Sequence, residues 1–142
     1  MRIERTHAFE VARDAAEAFP LFTPEGERAW AEGWEPRYAW PADGRTERGM
    51  VFTTEHGGEH TIWTLTRYDP ESFVVEYVRD TPGSRTGEVR VKCAPLSERR
   101  TRVEVTYVLT ALSEAGKAKL AELDEARFRG FVERWREAIE RL

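Results

Sequence analysis

From Ser113 to Leu142 apolar residues recur every three or four positions, at Leu120, Phe128, Phe131, Trp135, Ile139 and Leu142, with Asp124 as the polar member of the stripe. Lys117, Lys119, Glu122, Glu125, Arg129, Glu133, Arg136 and Glu140 fall mostly on the other side. That periodicity predicts one long amphipathic helix over 113–142 whose aromatic face has to be buried. At ~1.5 Å per residue it runs ~40 Å, more than a compact chain of this size can hide unless the helix lies diagonally across a sheet. The preceding residues supply that sheet, because they form alternating, strand-like segments joined by tight turns. A curved sheet gripping a helix follows, with room for a pocket between the two.

Residues 2 to 11 alternate, with Ile3, Arg5, His7, Phe9 and Val11 on the inward face. Asp14, with Glu17 three residues on, starts a short helix, and Thr23 followed by Pro24 starts another. Gly33, Pro36 and Pro41 interrupt the aromatic segment Trp30, Trp34, Tyr38 and Trp40, leaving space for a short strand over 37–40, and strands resume at Arg48. Within Glu55-His56-Gly57-Gly58-Glu59-His60 the glycine pair accepts the positive φ angles of a two-residue hairpin. Centring the turn there sets His56 opposite Glu59, Glu55 opposite His60, Thr54 opposite Thr61, Phe52 opposite Trp63 and Met50 opposite Leu65. Turns at 69–72, 81–84 and 97–100 delimit three more strands. Their inward residues are Phe73, Val75 and Tyr77, then Val89, Val91 and Cys93, then Val103, Val105, Tyr107 and Leu109. Ser113 caps the closing helix, with Gly116 where a capping-box acid would stand. The predicted fold class is α+β: a curved antiparallel sheet of about seven strands, two short helices after the first strand, and a long C-terminal helix, in one domain over 1–142.

A chain of 142 residues buries enough surface to need no metal or disulfide for its core. The net charge of -4 and the interleaving of signs leave no basic stripe, which argues against nucleic acid as a partner. No apolar run approaches the ~18 residues of a membrane span and the start is charged from Arg2, so neither membrane insertion nor a signal peptide is expected. The single cysteine, Cys93, fits a buried small hydrophobe in a reducing, cytoplasmic setting better than a nucleophile.

A pocket between sheet and helix would be lined by Met50, Phe52, Trp63, Tyr77, Tyr107, Phe128 and Phe131, with Trp30 and Trp34 near an entrance. Such aromatics suit a flat or bulky apolar ligand, and the same residues can also interdigitate as a solid core. His7, His56, Tyr77 and Tyr107 are the polar groups placed to orient a ligand. A carboxylate beside His56, such as Glu59, would favour a general base, whereas an exposed cross-strand pair contributes ~1 kcal/mol at most. Strict alternation throws His56 and His60 to opposite faces, so no metal site is expected there. Asp124 on the apolar stripe suggests a basic inward partner that the sequence does not identify, and Arg5 and His7, inward on the first strand, can contact a polar group of a ligand, reach solvent or pair with an acid such as Asp124. Neither a Gly-x-Ser-x-Gly elbow nor a glycine-rich phosphate loop is present, so no catalytic residue is assigned and no cofactor is called for.

The order of elements, the stretch Leu21-Phe22-Thr23-Pro24-Glu25 leading to Trp30 and Trp34, Thr66-Arg67-Tyr68-Asp69-Pro70 before a strand, and Leu109-Thr110-Ala111-Leu112-Ser113 before the closing helix together resemble the SRPBCC superfamily. The resemblance covers essentially the whole chain from Ile3 and looks like uncharacterised bacterial members of the polyketide cyclase/dehydrase-like type. It implies a helix-grip fold, also described as START-like or Bet v 1-like, with an apolar cavity used for lipids, sterols, polyketides or other hydrophobic small molecules. Some members catalyse cyclisation or dehydration, and others assist chaperones or ribosomes, so the fold alone does not fix the activity. The expectation is binding of a hydrophobic, aromatic or lipid-like small molecule. Its alternatives are a cyclase or dehydratase using a pocket histidine, and a protein-interaction module built on the segment from Trp30 to Trp40.

Overall fold

A computed structural model describes residues 1–142. Strand β1 (Arg2–Val11) leads into the short helices α1 (Ala15–Ala18) and α2 (Pro24–Glu27), separated by a 3-10 turn at Phe19–Phe22. Both begin where the sequence provides a side-chain oxygen for their free N–H groups. Asp14 Oδ1 accepts from the Glu17 N–H at 2.8 Å, and Thr23 Oγ1 accepts from the Gly26 N–H at 3.1 Å. The sheet continues through β2 (Arg37–Trp40), β3 (Val51–His56), β4 (Glu59–Asp69), β5 (Val74–Thr81), β6 (Arg85–Ser97) and β7 (Arg100–Ala111). All neighbours are antiparallel in the order β1-β7-β6-β5-β4-β3-β2, so the chain meanders from β2 to β7 and the first strand closes beside the last.

The hairpin of β3 and β4 has the register that its glycine pair dictates: His56 faces Glu59, Glu55 faces His60, Thr54 faces Thr61 and Phe52 faces Trp63. Gly57 and Gly58 both take positive φ, at 57° and 79°. β3 starts at Val51 rather than Arg48, yet the Leu65 N–H still donates to the Met50 carbonyl at 2.9 Å. Phe73 departs from its expected place. It is a turn residue with φ of 59°, so β5 starts at Val74, and both Val74 and Val75 are buried instead of alternating.

The C-terminal helix is in two pieces, α3 (Glu114–Glu122) and α4 (Glu125–Glu140). The break falls at Leu123 and Asp124. Leu123 has φ of -98° and ψ of 62°, and Asp124 acts as the N-cap of α4, its Oδ1 accepting from the Arg127 N–H at 2.8 Å. Asp124 is therefore not an acid waiting in the apolar stripe for a basic partner. Arg5 holds the other side of the break, its Nε donating to the Leu123 carbonyl at 3.0 Å. Gly116 explains its own presence in the first turn of α3, because a Cβ there would lie 1.8 Å from the Ser84 carbonyl oxygen in the β5–β6 turn. α4 packs along β1 and α3 leans on β7, and their buried residues Leu120, Phe128, Val132 and Ile139 join one apolar core with the inward face of the sheet.

Candidate functional site

Most of the aromatic residues expected around a cavity fill the interior themselves. Met50 and Phe52 are fully buried, Phe52 stacks on Trp63, and Trp34 and Tyr77 set ring edges against both. The Tyr77 hydroxyl donates to the Phe22 carbonyl at 2.8 Å and the Trp63 Nε1 to Thr54 Oγ1 at 3.0 Å, so neither polar tip is free for a ligand. Trp30 and Trp34 fold inward as well, donating to the Leu21 and Pro24 carbonyls at 2.8 Å each. A second aromatic run of Phe22, Trp30, Trp135 and Phe131 closes the space under the short helices. Rings this large, interlocked edge to face, consume the volume that a wide cavity would need.

Between the sheet and the C-terminal helices a cleft of about 360 Å³ lies where β5, β6 and β7 meet the α3–α4 break, and a second, of about 340 Å³, lies between the end of β1 and the end of α4 around Val11, Arg13 and Ile139. The apolar wall of the cleft at the break comes from Tyr107 and Leu109 of β7, Leu120 of α3, Leu123 at the break and Phe131 of α4. The break creates part of this wall, because ending α3 at Glu122 leaves Leu123 outside a continuous helical stripe. Of the residues expected to contact a ligand, Tyr107 and Phe131 line the cleft; Phe128 lies fully buried behind them, with its ring edge on Tyr107.

The polar side of the cleft is cationic. Arg79 and Arg85 come from the sheet and Lys119 and Arg127 from the helices, against Glu122 as the acid of the lining. Arg85 forms a two-pronged ion pair with Glu59, at 2.9 and 3.0 Å, which holds the Glu59 carboxyl below its ordinary range. Glu59 is thereby drawn away from His56. Arg79 lies over the Trp63 ring, 5.4 Å from its centre, and loss of hydration pulls its guanidinium below its usual value. Burial pushes the Tyr107 phenol up, opposed by the nearby Arg79 charge. The sequence carried a signal for Arg79: two residues beyond Tyr77 on a strand, it shares the inward face.

The histidines stand elsewhere. His56 is exposed at the hairpin tip, while His60 pairs with Glu55 on the opposite face. His7 lies beneath α4, its Nε2 3.7 Å from Glu133 Oε1, beyond hydrogen-bond distance. None of the three lines the cleft. No group of His, Cys, Asp and Glu side chains converges as a metal site. Cys93 is buried, and loss of hydration pushes its thiol up to about 12, which leaves no thiolate for nucleophilic chemistry near neutral pH. Glu27 is an acid that the sequence pattern did not single out. Its residue surface is only partly covered, yet protein packed around the carboxyl pushes it well above its ordinary range, and its charge reaches the Tyr77 and Tyr107 phenols.

The family model described as polyketide cyclase / dehydrase and lipid transport matches residues 2–140. The chain belongs to that family. No curated protein matches it. Among solved structures, the chain is similar to norcoclaurine synthase from Thalictrum flavum in complex with dopamine and hydroxybenzaldehyde, with a TM-score of 0.70 at 11% identity over 99% of this chain and 88% of that one. It is similar to the Zhui aromatase/cyclase of a Streptomyces species, with a TM-score of 0.61 at 17% identity over 99% of this chain and 86% of that one. A START superfamily protein from Mycobacterium smegmatis gives 0.64 at 15% identity over 96% of this chain and 94% of that one. At such identities the likeness establishes the fold, which is the START-like, Bet v 1-like helix-grip of the SRPBCC superfamily. No helix of the domain is long and apolar enough to cross a membrane.

Proposed function

We propose that this domain binds a hydrophobic small molecule, aromatic or lipid-like, in the cleft between β5–β7 and the α3–α4 break. The observation that carries the reading is the cleft itself: about 360 Å³, with half its lining apolar and lying between sheet and C-terminal helix. That volume is near the lower end of the ~300–1,000 Å³ common for ligand pockets, which fits one or two fused rings or a short alkyl chain. Exclusion of water from apolar ligand surface supplies the driving force, at ~25 cal/mol per Å² before the costs of ordering. The family description, which includes lipid transport, supports the same reading.

Native mass spectrometry of the purified protein, followed by a thermal-shift screen of apolar compounds, tests it. A ligand that binds the folded state raises the melting temperature as RT ln(1 + [L]/Kd). Leu123→Trp, which places an indole in the cleft, is expected to abolish that shift with little change in the melting temperature of the free protein. A shift that persists undiminished in this variant would place the ligand elsewhere and end the proposal.

A second reading, as a cyclase or dehydratase, is favoured by Glu27. Protein packed around the Glu27 carboxyl makes it hold its proton more tightly than an ordinary carboxylate, and its charge acts on the Tyr77 and Tyr107 phenols, a pattern suited to general acid chemistry. The histidines that a catalytic reading would otherwise use lie outside the cleft. Incubating a co-purified ligand with the protein and analysing it by mass spectrometry separates the readings: turnover requires a mass or retention change that Glu27→Gln abolishes, and passive binding returns the ligand unchanged.

A further inference from the structure

Arg79 is an arginine of the cleft that makes no salt bridge, although the charges of Glu59 and Asp80 reach its guanidinium. Its strand pairing puts it opposite Trp63, and its guanidinium lies over that ring. Nη2 donates to Thr81 Oγ1 at 2.8 Å, and Thr61 Oγ1 lies at 3.5 Å. These partners are neutral hydroxyls. Nε is buried without any hydrogen-bond partner. The neighbouring Arg85 differs, because Glu59 neutralises it with a two-pronged pair. With that pair set aside, Arg79, Lys119 and Arg127 face Glu122 as the acid in the lining. Arg127 is held in place by the Glu122 backbone carbonyl, at 3.1 Å, and not by its carboxylate.

A guanidinium partly withdrawn from water and left without a directly paired carboxylate is costly to the folded protein. An incoming anion recovers that cost, and the planar fork of arginine matches a carboxylate. We infer that the ligand of this cleft is an amphipathic carboxylate, with its acid group on Arg79 and a flat or short apolar body against Tyr107, Leu109 and Phe131. The inference rests on the proposed reading of the cleft as a ligand site. It narrows that reading from apolar molecules in general to apolar acids.

The test compares acids with neutral molecules of the same body, by titration calorimetry on the full chain. The probes are 2-naphthoate against 2-naphthamide, and decanoate against decan-1-ol. Each acid is expected to bind at least about tenfold more tightly than its neutral partner, the gain expected of a hydrogen bond to a charged group. Arg79→Gln should bring the acid down to the affinity of the neutral molecule while leaving the latter within about threefold, and Arg79→Lys should restore part of the preference. Lys119→Gln, at the rim of the cleft, should cost the acid less than Arg79→Gln does. Equal affinity of acid and neutral molecule for the unaltered protein overturns the inference and leaves the apolar site standing. An acid preference that survives Arg79→Gln overturns it as well. If neither member of either pair binds, the ligand site itself falls, and the inference with it. The comparison on the unaltered protein needs no variant, so a folding defect in Arg79→Gln leaves the test intact.

Discussion

Glu27 and Arg79 are charged groups of opposite sign, both packed toward the interior and both without an ion-pair partner of their own. Such groups lower stability wherever they must carry charge, and proteins keep them most often where a ligand or a reaction uses them. For Glu27 the consequence is a pH dependence of known sign. The unfolded chain releases this proton near its ordinary value of 4.5, whereas the folded chain holds it to higher pH. Between the two values the unfolded state binds fewer protons, so stability falls as pH rises, and above the folded value the penalty is constant. Glu27→Gln removes the penalty. Urea denaturation should therefore show the variant more stable than the natural protein at about pH 7.5 and indistinguishable from it at about pH 3.5. Equal stability at both pH values would mean that the carboxyl is hydrated in the folded state.

At the scale of elements, the two-piece C-terminal helix matters most, because its break builds a wall of the cleft. Asp124→Ala removes the N-cap of α4 and is expected to lower stability by about 1 kcal/mol, with the loss read by denaturant unfolding. Gly116→Ala is expected to cost about 1–3 kcal/mol, since α3 must move away from the Ser84 carbonyl to admit a methyl group. A neutral result there would show that α3 is loosely seated. The strands were legible in the sequence because alternation of charged and apolar residues is enforced wherever one face meets the core, as on β1, β6 and β7. The hairpin register was legible because the glycine pair at 57 and 58 allows few alternatives. The helix break is hidden in the sequence, because Asp124 keeps the three-to-four spacing of the stripe. The competing signal was present: an aspartate followed directly by Glu125 is the signature of a new helix start. Phe73 is disguised for a similar reason, since its spacing from Val75 imitates a strand while the preceding turn runs one residue longer.

For the whole molecule, the five tryptophans report how the interior is used. Trp63 is 9% exposed, Trp30, Trp34 and Trp135 are partly covered by core aromatics, and Trp40 on the edge strand β2 is 52% exposed. The segment from Trp30 to Trp40 thus offers one exposed indole instead of an extended interaction patch. Acrylamide should quench a single strongly accessible component, and Trp40→Phe should remove it; a strongly quenched component that survives would mean that the segment opens in solution. The site was less legible than the fold for a reason of volume. Alternation tells which side chains point inward, but not whether they leave space between them, and here Phe52, Trp34, Trp63 and Tyr77 close on one another while Tyr107 and Phe131, edge to face with each other, border the cleft.

The claim on which the account turns is that apolar ligands enter the cleft at the helix break, and methyl NMR tests it most directly. With leucine methyls labelled and 2-naphthoate or decanoate titrated in, the resonances of Leu109, Leu120 and Leu123 should shift saturably, while those of the exposed Leu96 and Leu142 stay in place. Shifts confined to the exposed leucines, or none in the cleft at saturating ligand, would contradict it.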